Sequence, residues 1–167
     1  MYITWAYDRN GAYDSSGSST KTNGDVFVVS SRNGISRTPA HKIGTAADEV
    51  FPAIAAYNAH VVVTFYTRAY DWNGINLDYA YSTASGIGEF EHENITRITT
   101  QSENPQRQFV GVGAISGQVL QGLFIGDYTA VAMGSDQKFH PSWTDFRGRP
   151  GVTRPNQDAY TQSISMR

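Results

Sequence analysis

The chain has 167 residues, of which 40% are hydrophobic, 13% aromatic and 17% charged, with no cysteine and a formal net charge of −2. This is a globular composition of one-domain size, and it excludes a disordered tail, a collagen, a coiled coil, a helical membrane span, a disulfide framework and a thiolate metal site. No run of Lys or Arg marks a phosphate-binding face, so neither a nucleic-acid nor a membrane partner is expected.

Leu occurs only at positions 77, 120 and 123, and Lys only at 21, 42 and 138. Helix formers are therefore scarce while aromatic and β-branched residues are plentiful, so the chain is predicted to be all-β. The first strand is predicted over Tyr2 to Tyr7, and the stretch from Met1 shows no basic region followed by an apolar core, so no signal peptide is read there. Further strands follow over Asp25 to Ser30, Thr38 to Ile43, Phe51 to Tyr57, His60 to Thr67, Asn76 to Ser82 and Ile95 to Thr100. The remaining ones cover Phe109 to Ile115, Val119 to Ile125, Tyr128 to Met133, His140 to Phe146 and Asp158 to Ser163. Asp8-Arg-Asn-Gly11 and Asp71-Trp-Asn-Gly-Ile-Asn76 are turns, because Asn-Gly accepts the positive φ of a tight turn.

An internal repeat organises these strands. Phe51-Pro-Ala-Ile-Ala-Ala56 matches Tyr128-Thr-Ala-Val-Ala-Met133 at an offset of 77, and Phe65-Tyr-Thr-Arg68 matches Trp143-Thr-Asp-Phe-Arg147 at an offset of 78. Trp5-Ala-Tyr-Asp-Arg9 is a third copy of the second element, and each copy precedes a strand opened by Asp25, Asp78 or Asp158. With the strands of one unit labelled A to D, the chain reads BCD over 1–47, ABCD over 48–105 and ABC over 106–167. Recurring four-stranded antiparallel units of this length suit β-propeller blades with long loops, about three of them; a β-sandwich is the rival architecture.

The repeated residues have a structural reading first. Arg9, Arg68 and Arg147 close the B strands, and pairing with Asp25, Asp78 and Asp158 would pin each B strand to its C strand. Trp5, Phe65, Trp143, Phe27, Tyr81 and Tyr160 are expected to pack between sheets. His60 and His140 precede equivalent B strands without a third partner at ligand spacing, so no metal or other cofactor is expected. Three residues are left as ligand-binding candidates: Trp72 in a loop, as a sugar-stacking platform, and Asp127 and Tyr128 at the head of an A strand, where a propeller channel would be lined.

Four segments, Asp48-Glu-Val-Phe-Pro-Ala-Ile-Ala55, Phe124-Ile-Gly-Asp-Tyr-Thr-Ala-Val-Ala132, His140-Pro-Ser-Trp-Thr-Asp-Phe-Arg147 and the strand start Asp158-Ala-Tyr160, resemble the bacterial sialidase-like propellers with Asp-box (BNR-type) repeats. The Asp-box itself survives as degenerate turns at Ser31-Arg-Asn-Gly34 and Ser82-Thr-Ala-Ser-Gly-Ile-Gly-Glu-Phe90, its aspartate missing from both. The resemblance implies a secreted or cell-surface bacterial protein and, in active members, exo-glycosidase chemistry with an arginine triad, a Tyr nucleophile activated by Glu, and an Asp acid/base. None of these roles maps onto a residue here, so the expected function is a non-catalytic module binding glycan or a protein partner; the alternative is a fragment of an exo-glycosidase. Three blades fall short of the four to eight of a closed propeller, so a homodimer closing the ring is expected.

Overall fold

A computed structural model describes residues 1–7, 24–85, 94–105, 114–115, 118–119, 128–145, 147 and 157–166. Among them there is no α-helix. The strands are β1 (Tyr2–Tyr7), β2 (Asp25–Ser30), β3 (His41–Ile43), β4 (Glu49–Tyr57), β5 (His60–Thr67), β6 (Asp78–Ser85), β7 (Thr96–Arg97), β8 (Ala114–Ile115), β9 (Gln118–Val119), β10 (Ala130–Met133), β11 (Lys138–Asp145), β12 (Asp158–Thr161) and β13 (Ile164–Ser165).

They form three antiparallel sheets, ordered β1-β2-β3, β4-β5-β6-β7 and β10-β11-β12, beside the small hairpin β8-β9. β13 also pairs with β11, and Phe139 facing Ile164 continues the ladder in which Trp143 faces Tyr160. β12 and β13 are therefore one strand interrupted at Gln162 and Ser163.

The repeat read from the sequence is reproduced in the ladders. Ala53 faces Thr64 in the second sheet and Ala130 faces Ser142 in the third, the same offsets of 77 and 78. Tyr7 faces Asp25, Thr67 faces Asp78, and Asp145 faces Asp158, so each Asp-opened strand starts at the same point of its hairpin.

Packing follows from this alignment. Val26, Val28 and Ile43 of the first sheet join Val61, Val63, Phe65, Ala80 and Ala84 of the second in one buried cluster. Tyr66, Leu77, Tyr79 and Ile98 of the second sheet enclose Trp143 of the third. Burying each Val, Leu or Phe side chain stabilises by about 1.5–3 kcal/mol, so these two junctions hold the sheets together. Ring geometry adds direction: Tyr79 stacks on Trp143 at 5.2 Å, and Tyr81 meets Phe139 edge-on at 4.8 Å. β5 is paired on both edges and covered on both faces, and Val61 to Thr67 are all buried. Its sequence accordingly runs Val-Val-Val-Thr-Phe-Tyr-Thr without polar alternation. Of the six aromatics expected between sheets, Phe27, Phe65 and Trp143 are buried, while Trp5, Tyr81 and Tyr160 are half-buried.

Candidate functional site

The antiparallel ladders bring the ends of β1, β3, β5, β7 and β11 and the starts of β2, β4, β6, β10 and β12 to one end of the molecule. Contacts between sheets confirm the alignment. Glu49 N–H donates to the Gly24 carbonyl at 2.6 Å, Thr129 Oγ1 donates to the Phe51 carbonyl at 2.9 Å, and Tyr66 Oη donates to the Thr144 carbonyl at 2.8 Å. The strand ends gather charge there because interior strand positions are apolar and the turns are polar.

Each cation of this end that the structure describes has an acidic partner, and the partners differ from those expected. Arg68 does not pin Asp78; its Nη1 lies 3.1 Å from Asp48 Oδ2 and donates to the Gly74 carbonyl at 3.0 Å. Asp78 instead receives Arg97, Nε at 2.8 Å and Nη2 at 2.6 Å, together with Thr99 Oγ1 at 2.6 Å and Ser102 Oγ at 2.7 Å. Asp25 is met by Lys42 at 2.5 Å, and its expected partner Arg9 lies outside the described residues. Arg147 forks onto Asp145, not Asp158, with Nε to Oδ1 and Nη2 to Oδ2 both at 2.7 Å. The physical reason is shared by the two complete cases. Lys42 and Arg97 sit on the outer neighbour strand two positions past the aspartate, facing Phe27 and Ala80, where a long side chain reaches back along the strand to the carboxylate. The pins therefore run from strand C to strand D, not from B to C.

Two further acidic groups are buried here. Glu49 is fully buried; its Oε1 accepts from Thr45 N–H at 3.1 Å, Thr45 Oγ1 at 3.0 Å and Thr67 Oγ1 at 3.0 Å, while its Oε2 has no hydrogen-bond partner. Burial pushes its pKa above the ordinary glutamate value, against the opposing hydrogen bonds and the nearby Lys42. Gly44 makes this packing possible: its φ is +126°, and a Cβ there would run into the Glu49 carboxyl. At the other junction Glu103 hydrogen-bonds Asp145 and lies 3.6 Å from Arg147 Nε. Burial works to raise the Asp145 pKa, but the hydrogen bonds from Arg147 override it and hold the carboxylate below its usual range.

The exposed groups are aromatic. Trp72 stands fully exposed on the turn between β5 and β6. That turn is fixed by its own aspartate: Asp71 Oδ2 accepts from Ile75 N–H and Asn76 N–H, both at 2.8 Å, and the Asp71 carbonyl accepts from Gly74 N–H at 2.9 Å. These backbone donors hold the Asp71 pKa below the carboxylate norm. Tyr128, ahead of β10, is 87% exposed, and Asp127 lies outside the described residues. Nearby, Phe51 occupies a bulge of β4 at φ +51°, an unusual backbone conformation for a bulky residue. Nothing in this end forms a cluster of three or more His, Asp or Glu suited to a metal ion among the described residues. His140 Nε2, at the opposite end, lies 2.8 Å from Asp136 Oδ2.

Lys42, Glu49, Arg97 and Glu103 were not singled out by the sequence reading. Lys42 follows Asp25 by 17 residues and Arg97 follows Asp78 by 19, so no fixed spacing marks them, and the strands that carry them have only three and two residues. Comparisons with protein-family models, with curated proteins and with solved structures find no match.

Proposed function

We propose that the chain is a non-catalytic module of sialidase-like propeller blades that binds glycan at the loop-bearing end of its sheets, with Trp72 as the stacking platform. Three antiparallel sheets, the second and third related by the 77 and 78 residue offsets, support the blade reading, together with the sequence resemblance. The observation that carries the binding reading is the full exposure of Trp72 on a turn locked by Asp71. An indole held rigid before binding loses little conformational freedom on stacking against the apolar face of a sugar ring. Tyr128 adds a second exposed ring at the same end.

The non-catalytic reading rests on how the charges are used. At this end Arg68, Arg97 and Arg147 are paired with Asp48, Asp78 and Asp145 respectively, which leaves none of these three guanidinium groups without an acidic partner. The neighbouring carboxyls of Glu103 and Asp145 are the one feature that favours a glycoside hydrolase instead, but Arg147 and Trp143 Nε1 already occupy Asp145. A glycan array followed by calorimetry, with hydrolysis of sialosides and aryl glycosides run in parallel, tests both. Binding that falls with Trp72→Ala and no turnover is expected; turnover abolished by Asp145→Asn would install the hydrolase reading. The proposal includes closure of a larger ring by a second copy, which sedimentation reads as a dimer.

A further inference from the structure

The loop that carries Trp72 is closed by a side chain from its own root. Arg68 is the residue at which β5 leaves its sheet: its N–H donates to the Asp48 carbonyl at 3.0 Å, and its carbonyl accepts from Asp71 N–H at 3.1 Å, which makes a first bend. A second bend follows at once, with Gly74 N–H donating to the Asp71 carbonyl at 2.9 Å and Gly74 at a φ of +62°. Arg68 Nη1 then reaches across both bends and donates to the Gly74 carbonyl at 3.0 Å. Backbone and side chain of one residue thus hold the two ends of segment 68–74, and Trp72 stands inside it.

This brace is anchored outside the loop. The same Nη1 lies 3.1 Å from Asp48 Oδ2, while Asp48 Oδ1 accepts from Gly24 N–H at 2.9 Å, just ahead of β2 in the first sheet. The contacts therefore run from the Trp72 loop through Arg68 and Asp48 to the junction of the first two sheets. A charged donor holds a carbonyl more strongly than a neutral one does. The first bend has a tie of its own: Tyr70 Oη donates to the Ile95 carbonyl at 3.3 Å, and the Arg97 guanidinium lies 5.3 Å over the Tyr70 ring. Tyr70 steadies the first bend from β7, and Arg68 steadies the second, which carries the indole.

We propose that Arg68 is the positioning residue of the glycan site: its guanidinium, braced by Asp48, holds the bend 71–74 in the conformation that presents Trp72. The role rests on the glycan reading of Trp72. Arg68 acts through the turn, not on the sugar. Apparent affinity falls with the fraction of molecules in the competent conformation, so loss of the brace weakens binding without altering the ring that stacks.

The test combines hydrogen exchange on the unliganded full chain, read by NMR, with calorimetry against the glycan that the native chain binds most tightly on an array. In Arg68→Ala the Ile75 and Asn76 amides, both held by Asp71 Oδ2, are expected to exchange about tenfold faster or more, beyond any change in the β5 amides, while the melting temperature falls by about 4 °C or less. The glycan dissociation constant is expected to rise about threefold or more. Arg68→Lys keeps a charged donor and is expected to restore most of both readings. Asp48→Asn leaves the hydrogen bonds within the bend in place, yet is expected to loosen the bend in the same direction, and the double variant should be no worse than Arg68→Ala. Unchanged exchange at Ile75 and Asn76 in Arg68→Ala, or faster exchange with undiminished glycan affinity, would overturn the proposal while leaving the Trp72 reading standing. A native chain that binds no array glycan, or whose affinity survives Trp72→Ala, would overturn that reading and the positioning role with it.

Discussion

Asp78 at the head of β6 and Arg97 in β7 are joined by two contacts, Nε to Oδ1 at 2.8 Å and Nη2 to Oδ1 at 2.6 Å, and the arrangement recurs one sheet earlier between Asp25 and Lys42. The Asp78 side chain is fully buried and accepts from Arg97, Thr99 and Ser102, so donors of the outermost strand and its extension hold the carboxylate. Arg97→Ala removes one partner of a buried charge, and a loss of about 1–3 kcal/mol is expected on chemical denaturation, moderated because the guanidinium is itself a third exposed. Arg68→Ala, whose pair with Asp48 is partly exposed on both sides, is expected to cost about 1 kcal/mol or less. Equal losses for the two variants would show that the C-to-D pair is not the principal pin.

Glu49 sets the pH dependence of the first junction. Its pKa is raised in the folded chain, so the folded state binds its proton more tightly than the unfolded state, and the stability from this group is full at low pH. That contribution declines as pH rises from the ordinary glutamate value near 4.5 up to the raised folded value, and stays lost above it. Glu49→Gln cannot ionise, so its stability relative to the native chain should increase as pH rises through that window. Denaturant midpoints for both proteins, taken at intervals from acid to neutral pH, check this; parallel curves would contradict it.

Asp145 behaves with the opposite sign. Its pKa is held down in the folded chain, so its contribution is present above the unfolded aspartate value and is lost as pH falls through the folded one. Asp145→Asn should therefore flatten the acid limb of the stability profile. An acid limb of unchanged steepness would place the acid sensitivity in other carboxylates.

Gly44→Ala tests the close approach at Glu49. Positive φ and the collision of a Cβ with the carboxyl act together, and a loss of about 2 kcal/mol or more is expected. Gly74→Ala, where φ is +62° but nothing lies within reach of a Cβ, should cost less, about 1 kcal/mol. Thermal melts of the two variants side by side give the comparison.

Strand positions were legible because the pattern and the register are one fact. Phe65 and Trp143 lie at matching points of β5 and β11, and the predicted bounds of β1, β2 and β5 coincide with the observed ones. The short outer strands were over-extended: Thr38 to Ile43 contracts to His41–Ile43, and Ile95 to Thr100 to Thr96–Arg97. Two or three residues carry no period, so nothing marked Lys42 and Arg97 as partners of the opening aspartates. Arg68 was read by adjacency to Asp78, whereas side-chain reach along a neighbouring strand decides the pairing. Trp72 was legible because an indole beside Asn-Gly has no core to enter, while the burial of Glu49 depends on Gly44 and Thr67 meeting it from two different sheets.

The most direct measurement is calorimetric titration of the full chain with the strongest array glycan, comparing the native protein with Trp72→Ala and Trp72→Phe. Trp72 is fully exposed and makes no packing contribution that its removal would disturb, so both variants should keep the native circular dichroism and melting behaviour. The account predicts that Trp72→Ala weakens binding by about 1–3 kcal/mol, with Trp72→Phe intermediate. Undiminished affinity in Trp72→Ala, with the fold intact, would contradict it.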